Sequence, residues 1–137
     1  MPLHLDIVTP EKKVFSDTVD NVYLPGADGE LGVLPMHAGL VTALKPGELR
    51  YLHDAKVVIL AIGSGFAEIT QEKVVVLTDM ALDEAEIDEQ SAEEAIQRAQ
   101  EKLHSVDHSL DAEEVAYLQG IITRSAAAIQ FKRKHRP

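Results

Sequence analysis

The chain contains no cysteine and no tryptophan. Without thiols it has no disulfide framework, no thiolate zinc site and no cysteine nucleophile, an absence that suits a reducing compartment. Aromatic residues make up 4% of the chain, so a core has to be aliphatic. No apolar run nears the roughly 20 residues that a membrane helix needs. No basic segment followed by an apolar run opens the sequence, so no signal peptide and no direct membrane insertion are expected. Positive charge is in short supply, with a formal net charge of −10. That balance argues against nucleic acid as a partner, because phosphate backbones are met by clustered Lys and Arg.

The charge that is present is segregated. Between Ala85 and Glu114 lie Glu86, Asp88, Glu89, Glu93, Glu94, Glu101, Asp107, Asp111, Glu113 and Glu114, opposed by Arg98 and Lys102. From Val115 onward there is no acid, while Arg124, Lys132, Arg133, Lys134 and Arg136 are basic. Such a division predicts that the tail meets an acidic surface.

Two periodicities divide the 137 residues. Leu3, Leu5 and Ile7 alternate with His4 and Asp6, the pattern of a half-buried strand. Further strands are expected from Val14-Phe15, from Val19 to Leu24, and at Leu31 to Leu34, Leu40 to Leu44, Leu49 to Leu52, Val57 to Ile62, Phe66 to Ile69 and Val74 to Leu77. Turn signals separate them: Lys45-Pro46-Gly47-Glu48 is a plain turn, and Gly63-Ser64-Gly65 marks a corner. Many short strands at this spacing predict an all-β sandwich over residues 1–84. The period then changes. Asp88 is an N-cap, and Ile87 is placed to staple onto Ala92. Ala92, Ala95, Ile96, Ala99 and Leu103 line one face of a helix. Asp111, with Glu114, caps a second, whose stripe is Val115, Leu118, Ile122, Ser125 and Ile129. The prediction for residues 85–137 is an antiparallel two-helix hairpin. Its shared face is thin, because alanine buries little area and Gly120 costs ~1 kcal/mol in mid-helix. Such a hairpin is marginal alone and suited to changing partners.

Catalytic patterns fail on inspection. Gly26-Ala27-Asp28-Gly29-Glu30-Leu31-Gly32 lacks a following Gly-Lys-Ser/Thr and links two strands, so it reads as a β-turn and not a phosphate loop. Ser64 has Ile62 and Phe66 where a nucleophile elbow needs glycines. His104 and His108, with Asp107 and Asp111 nearby, fall at the helix connector, without the rigid third or fourth ligand of a zinc site. No catalytic residues, no metal site and no cofactor are expected.

The most specific stretch is Leu24 to Leu40. Gly26, Asp28 and Gly29 supply a tight turn between short apolar runs, with Pro25 and Pro35 as punctuation. Glu30 and His37 flank the second run at positions a core would not choose. Gly29-Glu30-Leu31-Gly32-Val33, then Pro35, His37 and Leu40 to Gly47, resemble the signature segment of the epsilon subunit of F-type ATP synthases. The likeness covers essentially the whole chain, the helical half matching mainly in architecture.

The resemblance implies a non-catalytic rotor chain peripheral to the cytoplasmic face of a bacterial membrane. It implies that Glu30, Leu31, Gly32 and His37 dock onto the gamma subunit and the c-subunit ring. It also implies that Arg124, Lys132, Arg133 and Lys134, on an extended hairpin, face acidic segments of the catalytic beta subunits and restrain ATP hydrolysis, the alpha subunits being further partners in the complex. Some members bind ATP through an Ile/Leu-Asp-x-x-Arg-Ala motif. Here Ile87, Asp88 and Ala92 match, but Ser91 replaces the arginine and removes the bidentate phosphate donor; Arg98 lies two turns on. The rival from another class is a free-standing β-sandwich binding module with a helical oligomerisation hairpin.

Overall fold

The computed structural model describes residues 3–33, 39–105 and 110–135. Ten strands come first: β1 (Leu3–Val8), β2 (Lys13–Val19), β3 (Asn21–Gly26), β4 (Gly29–Val33), β5 (Leu40–Leu44), β6 (Gly47–His53), β7 (Lys56–Ile62), β8 (Gly65–Ile69), β9 (Lys73–Thr78) and β10 (Ala81–Leu82). A 3₁₀ turn at Glu84–Glu86 leads to α1 (Glu89–Leu103) and α2 (Ala112–Lys134). The strands form one hydrogen-bonded path, β10-β7-β6-β3-β5-β8-β9-β1-β2, with β4 off that path and paired to β3. Every described pairing is antiparallel except β1 with β9.

The path folds over on itself because alternate side chains point one way. Leu3, Leu5 and Ile7 of β1, Ala67 and Ile69 of β8, and Val74 and Val76 of β9 meet Val22, Leu24 and Leu49 from the opposite layer. The edges approach each other as well: the Phe15 ring of β2 lies 4.6 Å from that of Tyr51 on β6. This is the expected sandwich, with an aliphatic interior.

The tight turn expected at Gly26, Asp28 and Gly29 joins β3 to β4 as a hairpin. Gly26 pairs with Gly29 across the two-residue turn Ala27-Asp28, and Gly29 takes φ +133°, open to glycine without strain. Three sequence expectations are corrected, at Val19 to Leu24, at the cap of α2 and at Ile87. Val19 to Leu24 is not one strand: β2 ends at Val19, the chain bends at Asp20, and β3 starts at Asn21. The Asp20 amide donates to the Leu52 carbonyl, so the corner is held from β6, a partner invisible to local pattern. Strand β10 and the 3₁₀ turn were also absent from the sequence reading. The full reciprocal capping box belongs to Asp83 and Glu86, whereas Asp111 accepts from the Glu114 amide at 2.9 Å to start α2.

The two helices lie antiparallel, and their shared face is thin as expected; on α1 the buried residue is Ala99. The second helix has a further face. Ala128 and Phe131 join Ala61 of β7 and Ile87 of the linker in a small cluster, with Ile59, Met80 and Leu82 at its edge. Ile87 is therefore buried under α2, where the sequence pattern had it stapled to Ala92. This cluster is separate from the sandwich interior. The helices rest on the sandwich through a patch of their own.

Candidate protein-docking surfaces

The hairpin residues singled out by pattern divide into different roles. Glu30 is exposed, and its carboxylate accepts from Arg50 Nη2 at 3.0 Å. The Arg50 guanidinium in turn lies 4.8 Å above the Tyr23 ring, close enough for a cation–π contact. Gly32 is the seat of that ring: a Cβ there would meet Tyr23 Cε1 at 2.9 Å. Leu31 is partly buried and packs against the interior. Glu30, Arg50, Tyr23 and Gly32 thus form a stacked, pre-ordered polar corner at one end of the sandwich. His37 falls outside the described residues, as do Asp107 and His108 at the helix connector.

A second surface escaped the sequence reading. Cross-strand pairing sets Ala43 beside Phe66, Phe66 beside Leu77, and Leu77 beside Val8. Phe66 is 60% exposed and Leu77 52%, and Val41 on the same layer is 69% exposed. Four adjacent strands therefore present an apolar row outward, which a solitary sandwich has no reason to keep. The available signal was the unbroken run Val74 to Leu77, apolar on both faces of its strand where a surface strand alternates.

The third surface is the basic edge of α2. Arg124 Nη1 lies 3.3 Å from Asp79 Oδ2, and Lys132 Nζ 3.3 Å from Glu84 Oε1. Arg133 reaches Glu89 at 2.7 Å and Glu93 at 3.1 Å. Lys134 and His135 share Glu48 Oε1 at 3.0 and 2.6 Å. Burial pushes the Glu48 carboxyl up, but the hydrogen bonds from His135 and Lys134 outweigh it and hold it below its ordinary value. Asp79, Glu84, Glu48 and His135 were not singled out from sequence, since these partners become neighbours only on folding.

The nucleotide residues are not brought together. Asp88 caps α1: one oxygen accepts from the Gln90 and Ser91 amides at 3.1 and 3.3 Å, and the other accepts from the Ser91 hydroxyl at 2.9 Å. Those bonds, the Ser91 hydroxyl first, hold the Asp88 carboxyl below its ordinary value. Ala92 follows within the first turns of α1. Arg98 is exposed and lies about 15 Å along the axis from Asp88, at the 1.5 Å rise of a helix. Among the described residues, no group of three or more His, Asp or Glu could hold a metal ion, and no helix is long and apolar enough to cross a membrane.

Residues 2–84 match the model of the ATP synthase, Delta/Epsilon chain, beta-sandwich domain. The chain belongs to the ATP synthase epsilon-chain family. An ATP synthase epsilon chain of Desulforamulus reducens is 50% identical over 107 residues, 78% of this chain and 81% of that one. One of Dehalococcoides mccartyi is 42% identical over 97% of this chain and 96% of its own length, so the helical half is matched as well. The fold is similar to a chain of the Euglena gracilis mitochondrial ATP synthase OSCP/F1/c-ring structure, with TM-score 0.68 at 24% identity over 98% of this chain and 82% of that one. As a member of this family the chain is non-catalytic, a part of the ATP synthase complex and not one of its active sites.

Proposed function

We propose that the chain is a rotor component of the proton-translocating F-type ATP synthase, peripheral to the cytoplasmic face of a bacterial membrane. The observation that carries this is the outward apolar row of Val8, Leu77, Phe66 and Ala43, with Val41 beside it. A rigid sandwich with one dry face is suited to clamp a neighbouring stalk subunit and carry torque. The gamma subunit is the occupant proposed for that face. The Glu30, Leu31 and Gly32 corner, with His37, then meets polar loops of the c ring. Glu30 offers an exposed carboxylate already oriented by Arg50, which limits the side-chain entropy lost on docking.

Residues 1–84 act as the docking domain and residues 85–137 as a regulatory arm. In the closed arrangement described above, α2 lies on the sandwich. Opened, its basic edge, Arg124, Lys132, Arg133 and Lys134, faces acidic segments of the beta subunits and opposes hydrolysis. The separate, small cluster of Ala61, Ile87, Ala128 and Phe131 supports a detachable arm. ATP is not required for closure in this reading: Ser91 satisfies Asp88 from within the helix, and Arg98 stands too far along α1 to complete a phosphate site. Sub-millimolar ATP affinity in isothermal titration would overturn that part.

Two experiments on the assembled complex test the reading. Deleting everything after Glu86 leaves assembly intact and raises ATP hydrolysis; unchanged hydrolysis would remove the brake. Replacing Phe66→Asp places a charge in the middle of the dry face and abolishes capture by the gamma subunit, with the sandwich still folded by circular dichroism. Retained capture would place the gamma contact elsewhere.

A further inference from the structure

The cations of α2 share one feature: none is paired within its own helix. After Glu114 the chain holds no acid, so residues three or four positions away offer no counter-charge. Every partner comes from elsewhere: Asp79 from the turn between β9 and β10, Glu84 from the 3₁₀ turn, Glu89 and Glu93 from α1, and Glu48 from β6. All four cations among the described residues of α2 are matched in this way. A helix that carried its own acids would keep its pairs wherever it went. This one loses Asp79, Glu84 and Glu48 on leaving the sandwich, and Glu89 and Glu93 once α2 also parts from α1.

We propose that Asp79, Glu84, Glu89, Glu93 and Glu48 together serve as an internal substitute for an acidic polypeptide, occupying the basic edge of α2 so that an acidic partner gains it only when the arm opens. The inference rests on the reading of α2 as a movable arm. The geometry matches what an acidic partner would offer. Glu89 and Glu93 are one helical turn apart and grip a single guanidinium through Nε and Nη2, the way an acidic helix presents paired carboxylates. Glu48 bridges Lys134 and His135 at the extreme end of the helix. Internal and external acids then compete for the same cations, and the internal set has the advantage of being tethered. Because the side chains of Arg133 and Lys134 are 60% and 67% exposed, their pairs are individually weak and screened by salt. The clasp holds as a set, and the set is what an acidic competitor displaces.

The test uses the full chain. Since it has no cysteine, spin labels at Ala126→Cys on α2 and Lys56→Cys on β7, both exposed positions, report arm position as a distance distribution. The variant E48Q/E84Q/E89Q/E93Q keeps shape and removes charge; Asp79 is left in place. The expected result is a rise of about tenfold in the open population and a comparable gain in affinity for fluorescent poly-L-glutamate. Adding K132Q/R133Q/K134Q to the same variant abolishes that binding. An unchanged distance, or unchanged poly-L-glutamate binding, overturns the proposal. So does poly-L-glutamate binding that survives loss of the three cations. ATP hydrolysis by complexes carrying the fourfold variant separates this from the wider reading. An open, poly-L-glutamate-binding arm with unaltered hydrolysis upholds the clasp and refutes the brake.

Discussion

Asp6 illustrates how much of this protein turns on individual polar residues in a shell of aliphatic strands. Its Oδ1 accepts from the Ser16 hydroxyl and faces His4 Nε2 at 3.1 Å, while Lys73 Nζ stands 3.4 Å from Oδ2. The Ser16 hydrogen bond, aided by His4 and Lys73 and opposed by burial, lowers the Asp6 carboxyl to about 2. A folded-state value below the unfolded one means that stability is fully present above the ordinary value of 3.8 and is lost as pH falls toward 2. Asp6→Asn is therefore expected to flatten the acid limb of a chemical-denaturation profile in that window. At neutral pH it costs on the order of 1 kcal/mol, solvent screening included. An unchanged acid limb would show that the strap across β9, β1 and β2 contributes nothing. None of this was legible in sequence beyond the alternation that set Asp6 off the interior face, because Ser16 and Lys73 are brought beside it by pairing.

Elements were legible in proportion to how local their causes are. The β3–β4 hairpin announced itself through Gly26, Asp28 and Gly29, and the helix starts through Asp88 and Asp111, whose bonds run two or three residues along the chain. The bend at Asp20 and the pairing of β10 were not legible, since β6 and β7 cause them. The second helix is the instructive case. The spacing of Val115, Leu118, Ile122, Ser125 and Ile129 marks one apolar stripe, and Ala128 and Phe131 lie off it and point to the sandwich instead. A helix gripped on two sides has no single stripe to find. Phe131→Ala removes the largest side chain of that second contact and is expected to weaken arm docking by about 2–4 kcal/mol. Hydrogen exchange should then quicken in the last turns of α2 while β1, β8 and β9 keep their protection. Equal loss of protection in those strands would mean that arm and sandwich form one cooperative unit.

Across the whole molecule, dry contact and charge contact are kept apart. The interior of the sandwich is continuous and aliphatic, the arm rests on a small cluster, and ion pairs ring that cluster. Glu48 ties closure to pH. Its carboxyl lies below its ordinary value of 4.5 in the closed form, so its contribution is present above 4.5 and is lost as pH falls through the lowered value. The labelled chain should thus open on acidification below about 4.5, and Glu48→Gln should shrink that step while Lys134 and His135 are retained. A pH-invariant arm distance would rule Glu48 out. By itself the sequence determined the two-part architecture, the strand and helix types, the hairpin turn and the segregation of charge, because periodicity, turn chemistry and composition act over a few residues. Only the tertiary structure decided which acids hold the arm, which sheet face stays dry and exposed, and where α2 rests. Those choices depend on residues tens of positions apart, and the cost of ordering them together is met only when the whole chain folds.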